Sequence, residues 1–228
     1  MAKYLKYFTN ITDRQRYETS NDYLEPYVSV IKQNDGEVSG IHYNLVPDVI
    51  ITMNDSSVKK LYRKSRLDGI SLSTEVPNID VGNITDIQLS DKITEISNLF
   101  GFMSLKSINI PDSVTTIEYS LFSTCTSLLS ITIPASIKRL EYNAFSTCVS
   151  LSSVTLTDAI TYIDETAFQY DDNIHELKII GKKDISNLLP SELTNNLVNL
   201  YVDASLVETY KTYRDSIGKT FEVKPFQL

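Results

Sequence analysis

The feature that most constrains this chain is a sequence pattern that returns every 23 residues. Between residues 105 and 168 the motif Leu-x-x-Ile-x-Ile, or a Val/Leu variant of it, occurs three times, and a phenylalanine follows each time. A fixed period of about 20 to 50 residues is the signature of a repeat architecture. One such unit is too thin to bury its apolar side alone, so the units are expected to stack into a solenoid.

The repeat continues beyond these three copies in a weaker form. A copy shortened by two residues precedes them and ends in Phe100, and two later copies keep only the strand part of the motif. Such degeneracy is expected at the ends of a stack, which face water instead of another repeat. The shared first apolar position recurs at Ile84, Leu105, Leu128, Leu151, Ile174 and Leu197.

Within one copy, the alternation of Ile108 and Ile110 predicts a short strand with both side chains on one face. Pro111 lacks an amide proton and therefore closes that strand, while residues 119–124 are predicted to form one or two helical turns. Successive strands are expected to pair into a parallel sheet, about 4.8 Å apart, with equivalent residues in interior columns. The predicted repeat core comprises Leu105, Ile108, Ile110, Phe122, Leu128, Ile131, Ile133, Phe145, Leu151, Val154, Leu156 and Phe168.

The two cysteines, Cys125 and Cys148, occupy one such column. Neighbouring positions of a column are close enough for a disulfide in principle, but parallel side chains are poorly oriented for one. We expect buried thiols that act as small apolar residues, with their oxidation state left open. Asp171 stands at the next step and is expected to end the column.

These residues resemble the BspA-type leucine-rich repeats, whose unit reads L-x-x-I-x-I-P-x-S-V-x-x-I-x-x-x-A-F-x-x-C. The match includes IPDSV at residues 110–114, IPASI at 133–137 and AFSTC at 144–148, and it covers residues 84–228. The tail from residue 200 is similar to the family's closing segment, in which a short helix separates two strands. The resemblance implies a leucine-rich-repeat solenoid, β-rich and of the α+β class, that offers a binding surface and no catalytic residues.

Composition argues against several functional classes. With 21 basic and 29 acidic residues the net charge is −8, which disfavours binding to nucleic acid. No apolar run approaches the roughly 20 residues that span a bilayer, so no membrane insertion is expected. His42 and His175 have no second ligand at metal spacing, and no glycine-rich phosphate loop is present. We therefore predict no catalytic, metal or cofactor-binding site, and hence no enzyme.

The first 45 residues carry a second, shorter resemblance. FTNITDRQRY at residues 8–17, YVSV at 27–30 and VSGIHYN at 38–44 are similar to leader segments on structural proteins of crAss-like phages of Bacteroidales. The resemblance implies a segment that attaches the chain to other virion (capsid) proteins. The candidate attachment residues are Tyr4, Tyr7, Phe8, Tyr17, Tyr27 and Tyr43.

The N-terminus shows no secretory signal. This agrees with a virion protein that assembles in the host cytoplasm. A homo-oligomer is expected, because a thin solenoid on an extended leader gains avidity by association.

The chain is divided into three regions: an attachment and oligomerisation segment (1–45), an N-terminal cap (46–83) and the solenoid with its C-terminal cap (84–228). In the first region the Asp-Gly turn predicts a β-hairpin between residues 27–32 and 38–43. In the second, residues 49–53 are predicted as a strand, 58–67 as a short helix and 70–72 as another strand.

Two functions follow from these resemblances. The first is a phage virion structural protein, a head fibre or capsid decoration, that presents the solenoid to a host-surface protein or glycan. The second is a bacterial BspA-like surface adhesion or protein-binding module. In both, Tyr119 and Tyr142 are candidate surface contacts, since they recur at the repeat step and tyrosine is favoured in interfaces.

Overall fold

The computed structural model describes residues 4–8, 27–32, 38–44, 47–61, 64–76 and 79–226. The strands of this part are β1 (Tyr4–Phe8), β2 (Tyr27–Lys32), β3 (Val38–Asn44), β4 (Val49–Met53), β5 (Val58–Leu61), β6 (Arg66–Asp68), β7 (Ile84–Leu89), β8 (Glu95–Ser97), β9 (Ser107–Ile108), β10 (Ser130–Thr132), β11 (Arg139–Leu140), β12 (Ser153–Thr157), β13 (Tyr162–Ile163), β14 (Glu176–Ile180), β15 (Asn199–Val202) and β16 (Glu222–Pro225). The α-helices are α1 (Gly69–Glu75), α2 (Ser191–Thr194) and α3 (Val207–Ser216), and 3₁₀ turns occupy Val81–Asn83, Ser186–Leu188 and Ala204–Leu206.

A five-stranded parallel sheet, in the order β10-β12-β14-β15-β16, forms the regular side of the stack. Its register advances by 23 residues at each strand, so that Ser130 is level with Ser153, Glu176, Asn199 and Glu222. Residues at equal repeat positions therefore fall in columns across the sheet. This arrangement confirms the predicted fold class, a β-rich solenoid with a parallel sheet.

The phenylalanine column runs through the interior of the stack. The rings of Phe122 and Phe145 lie 5.2 Å apart between centroids and nearly parallel, and those of Phe145 and Phe168 lie 5.3 Å apart. All three side chains are fully buried. Each ring thus covers the faces of its neighbours, which one repeat by itself cannot do.

Residues 119–124 form successive turns, and the predicted helical turns are wrong. Alternate amides of this side donate to the next repeat: Phe122 N bonds to the carbonyl of Ala144, and Phe145 N to that of Ala167, both at 2.8 Å. Thr124 and Thr147 adopt the left-handed conformation, with φ of 60° and 65°. A backbone committed to bonds between repeats cannot also close the bonds of a helix.

A second, narrower row of strands lies between the sheet side and the turn side. Strands β11 and β13 pair in parallel, and a single bridge between Ile117 and Leu140 extends the row by one repeat. Ile117, Leu140 and Ile163 point inward and are buried. The residues on either side of them face outward, and they form the surface considered below.

The region before the repeats joins the same stack. The predicted strand at residues 49–53 is confirmed as β4, which pairs antiparallel with β5 and β7. The predicted helix at 58–67 is wrong, because this stretch supplies β5 and β6, and β6 pairs with β8. The predicted strand at 70–72 is also wrong. It belongs to α1, whose N-terminus is capped by the Asp68 carboxylate accepting from the amide of Ile70.

The first repeat is two residues shorter than the repeats that follow it, and both residues are missing at the same point. Strands β7 and β9 pair with a step of 21 residues, Ile87 being level with Ile108. On the turn side the step is 23, because the Cys125 thiol reaches the carbonyl of Leu99 as Cys148 reaches that of Phe122. Two residues are therefore missing between Ile96 and Leu99. Buried Leu99 takes the column place predicted for Phe100, which is 63% exposed.

The closing segment has the predicted strand, helix and strand as β15, α3 and β16. Tyr210 of α3 is buried, and its hydroxyl oxygen accepts a hydrogen bond of 3.0 Å from the amide of Ile185. The expectation that the cysteine column ends at Asp171 is wrong, because this side chain is only 3% exposed.

At the other end of the chain, the predicted hairpin is confirmed as β2 and β3, with β1 parallel to β2.

Candidate binding surface

The predicted contact residues Tyr119 and Tyr142 stand one repeat apart on the outside of the narrow strand row. Their side chains are 73% and 55% exposed. Each directly follows an outward-facing carboxylate, Glu118 or Glu141. We call this surface, residues 115–119 and 138–142, the tyrosine flank.

Arg139 contacts two neighbouring side chains in the part of the tyrosine flank formed by residues 138–142. Arg139 donates through Nε to Glu141 at 2.7 Å, and its guanidinium carbon lies 4.1 Å from the ring centre of Tyr162. Arg139 and Tyr162 are level partners on β11 and β13, which brings cation and ring together. The bond to Glu141 raises the pKa of Arg139, so the guanidinium stays charged.

Hydrogen bonds continue this group of contacts into the next repeat through Tyr162. The Tyr162 hydroxyl donates to Asp164 at 2.9 Å, and this bond raises the pKa of Tyr162. Asp164 also accepts from the hydroxyl and amide of Thr166, which lowers the pKa of its carboxyl group. Arg139, Glu141, Tyr162 and Asp164 thus form one internally bonded network.

Glu118 differs from its two repeat equivalents. Glu141 and Asp164 are bonded to Arg139 and Tyr162, whereas the residue two before Glu118 is Thr116, which carries no charge. Within the described ranges Glu118 is exposed and has no ion-pair partner. The first carboxylate of this column is therefore available to a ligand.

An open pocket of about 510 Å³ lies on the tyrosine flank. Its walls combine an aromatic ring, an aliphatic floor and charges of both signs. They are formed by Thr115, Thr116, Ile117, Glu118, Tyr119, Lys138, Arg139 and Glu141. A site with an apolar body and a few placed polar groups suits insertion of one partner side chain.

A second pocket, of about 450 Å³, lies on the outer face of the parallel sheet around Tyr201. Its charges are already paired: Lys178 contacts Glu176 at 2.9 Å, and Lys224 contacts Asn199 at 2.8 Å and Glu222 at 2.7 Å. The tyrosine flank therefore offers more unsatisfied chemistry to a partner than the sheet face does.

The cysteines are poorly suited to nucleophilic chemistry. Both are free and buried, and burial raises the pKa of Cys125 to about 12 and that of Cys148 further still. In the described part of the chain, no three His, Cys, Asp or Glu side chains converge as metal ligands. Across the same ranges, no helix has the length and apolar character required to traverse a lipid bilayer.

The predicted repeat-core residues all lie inside the stack, with at most 8% exposure. They are Leu105, Ile108, Ile110, Phe122, Leu128, Ile131, Ile133, Phe145, Leu151, Val154, Leu156 and Phe168. Of the candidate attachment residues, Tyr4, Tyr7 and Phe8 lie on β1, Tyr27 on β2 and Tyr43 on β3. Tyr27 is level with Tyr4, and Tyr17 lies outside the described residues.

Sequence reasoning missed the network around Arg139 and Tyr162. A signal was present, because Thr116, Arg139 and Tyr162 stand 23 residues apart, as do Glu118, Glu141 and Asp164. Aligning the outward positions as carefully as the apolar ones would have placed cation, ring and carboxylates side by side. It would not have shown which of the carboxylates remains unpaired.

Two solved structures are similar to this chain. A leucine rich cell surface protein from Faecalibacterium prausnitzii is 19% identical with a TM-score of 0.48, and covers 72% of this chain. A leucine-rich repeat protein from Bacteroides ovatus is 16% identical with a TM-score of 0.26, and covers 87%. The chain spans 41% of the length of the first and 66% of the second. No curated protein matches the chain.

The family model is the finding that bears on identity. The BspA type leucine rich repeat region matches residues 73–196 in six copies, more than half of the 228-residue chain. The match begins before the shortened repeat and stops ahead of β15, so it takes in the whole phenylalanine column. The chain belongs to the BspA-type leucine-rich-repeat family.

Proposed function

We propose that this protein is a non-catalytic module that binds a protein partner through the tyrosine flank. The observation that carries the proposal is the exposure of Tyr119 and Tyr142 beside an open pocket. Exposed aromatic side chains on a largely polar surface are typical of contact sites. Tyrosine also supplies a large share of interface binding energy for little loss of side-chain freedom.

The chemistry of the pocket favours a protein over a glycan. Glu118 has a free carboxylate, and the ring of Tyr119 lies next to it in the chain. Arg139 already shows how a guanidinium fits such a surface, between a carboxylate and a tyrosine ring. A partner arginine or lysine would pair with Glu118 as Arg139 pairs with Glu141, beside the exposed ring of Tyr119.

The test measures binding of labelled protein to arrays of envelope proteins and of glycans. We expect saturable binding to a protein, weakened at least about tenfold by the double change Tyr119→Ser and Tyr142→Ser. The control is Tyr170→Asn, at a residue that is 65% exposed outside the tyrosine flank. Its φ of 67° is tolerated by asparagine. Equal binding by all three proteins, or binding to glycans alone, would contradict the proposal.

We further propose the setting in which this module acts, a phage virion. There the chain would be a head fibre or capsid decoration, held to other capsid proteins through residues 1–45 and assembled as a homo-oligomer in the host cytoplasm. The support is the resemblance of the segments at residues 8–17, 27–30 and 38–44 to phage leader segments. The alternative setting is a bacterial surface, where the same flank would serve adhesion.

Mass spectrometry of purified particles separates these two settings. We expect the chain at structural copy number in the virion, and loss of incorporation when residues 1–45 are deleted while the repeats stay folded. Circular dichroism of the truncated protein checks the fold, and light scattering of the full chain checks the oligomer. Absence from particles would exclude the virion role and leave the partner-binding proposal standing.

A further inference from the structure

One interior column contains a chemically different side chain. Cys125, Cys148 and Asp171 follow each other at the 23-residue step, and all three are buried. Each thiol donates to the carbonyl 26 residues before it: Cys125 to Leu99 at 3.4 Å and Cys148 to Phe122 at 3.1 Å. In both repeats this column position thus places a hydrogen-bond donor against a backbone carbonyl.

Asp171 takes this position with a group that donates only when protonated. By the same step its carbonyl counterpart is that of Phe145, which already accepts from the amide of Cys148. Neither carboxyl oxygen of Asp171 has a hydrogen-bond partner in the described part of the chain, and the side chain is 3% exposed. An ionised carboxylate is left here without a bonded donor, whereas the acid form carries an O–H in place of the S–H.

The groups around Asp171 do not supply a compensating positive charge. The preceding turn contributes the thiol of Cys148, and its own turn contributes Asp172, a second carboxylate. On the following turn the same column position is Thr194, whose hydroxyl donates to Ser191, and the acid beside it, Glu192, accepts from the Ser191 hydroxyl. Burial, together with the charge of Asp172 and against the nearby amide of Cys148, raises the pKa of Asp171 to about 8.

We propose that Asp171 is a neutral carboxylic acid in the folded protein and that its ionisation loosens the turn at residues 168–174. This turn is the point where the regular repeats give way to the C-terminal part of the stack. The protein therefore contains a pH-sensitive junction between these two parts, built into the column of the cysteines.

The direction of the pH effect follows from the two protonation equilibria. In the unfolded chain an aspartate titrates near its ordinary value of about 3.9. The folded chain keeps the proton up to about pH 8. Between these values the folded state holds one more proton at Asp171, so the contribution of this residue to stability is largest in acid and falls as the pH rises through this window.

The direct test follows the carboxyl carbon of Asp171 by NMR in the full-length protein. We expect its titration midpoint above about pH 7, well above the ordinary aspartate value. A midpoint for Asp171 below about 5 overturns the proposal. This measurement needs no variant and cannot fail through misfolding.

A second test uses the column's own alternative, Asp171→Cys, together with Asp171→Asn. The wild-type thermal midpoint should drop by several degrees between about pH 5 and about pH 9, and both variants should lose most of that drop. The control Asp172→Asn should keep most of it. Parallel pH profiles for the wild type and Asp171→Cys would refute the junction.

Hydrogen exchange locates the effect within the chain. Residues 145–151 are the repeat equivalents of 168–174, with Cys148 in place of Asp171, so they serve as an internal reference. As the pH rises past about 8, exchange at 168–174 should accelerate relative to 145–151. A constant ratio of the two exchange rates, in the wild type and in Asp171→Cys alike, would contradict local loosening.

Discussion

The middle of the stack and its two ends are packed by different kinds of contact. In the middle, Phe122, Phe145 and Phe168 stack on one another, and Cys125 and Cys148 follow each other in a second interior column. At the ends different residues substitute for the missing equivalents. Asn109 completes the sheet edge toward β7 with its side chain, and Tyr210 of α3 fills the interior of the closing segment.

The sheet side and the turn side of the repeat differ in how far their regular structure extends along the chain. The strand register stays at 23 residues through β16, well after the phenylalanine column has ended. The turn side changes earlier, into the 3₁₀ turn at Ser186–Leu188 and helices α2 and α3. A parallel sheet needs only a regular backbone, whereas the turn side depends on particular side chains meeting.

The largest effect is expected in the middle, from Phe145→Ala. This change removes a fully buried ring that stacks on two others, and should cost about 3–5 kcal/mol of the free energy of unfolding. Phe168→Ala, which loses only one stacked neighbour, should cost less. Urea denaturation measures both, and equal losses would show that the column does not act through its stacking.

A smaller effect is expected at the N-terminal end, from Asn109→Ala. The Asn109 carboxamide accepts from the amide of Leu89 at 2.7 Å and donates to its carbonyl at 2.8 Å. Loss of both bonds should cost about 2 kcal/mol. Thr155→Ala, in the same column but within the regular sheet, should cost under about 0.5 kcal/mol. Similar denaturation midpoints for these two variants would remove the distinction between end and middle.

The smallest effect is expected at the C-terminal end, from Tyr210→Phe. The ring remains, but the buried amide of Ile185 loses its acceptor, which should cost about 1–2 kcal/mol. Tyr213→Phe is the matched control on the same helix, since its hydroxyl makes no hydrogen bond in the described residues. Thermal denaturation should separate the pair, and a loss confined to Tyr213→Phe would be inconsistent with the role given to Tyr210.

The sequence was sufficient for the fold class because Ile108, Ile131 and Val154 repeat both in position and in chemistry. It failed where neighbours in space decide the outcome. The Phe100 alignment was wrong because counting residues cannot reveal which of two adjacent apolar side chains turns inward. The helix predicted at residues 58–67 was wrong because strand pairing with β4 and β8 overrides local helix propensity.

The binding surface was only partly predictable, for a related reason. Tyr119 and Tyr142 could be selected by their spacing, yet that spacing does not distinguish an exposed ring from a packed one. Tyr162, at another repeat position, lies beneath the guanidinium of Arg139 and is less exposed. Glu118 lacks an ion-pair partner in the described residues because Thr116, at the position of Arg139 in the next repeat, carries no charge.

The two residues missing between Ile96 and Leu99 also limit the length of the ligand segment that the tyrosine flank can contact. The preceding repeat has no place for a ring equivalent to Tyr119, and on the other side Glu165 stands where a third ring would follow Tyr142. The row is therefore two rings long, a span of about 5 Å, one strand spacing. A ligand seated across both rings needs only a dipeptide of extended chain or a single turn of helix, so lengthening the solenoid would leave its footprint unchanged.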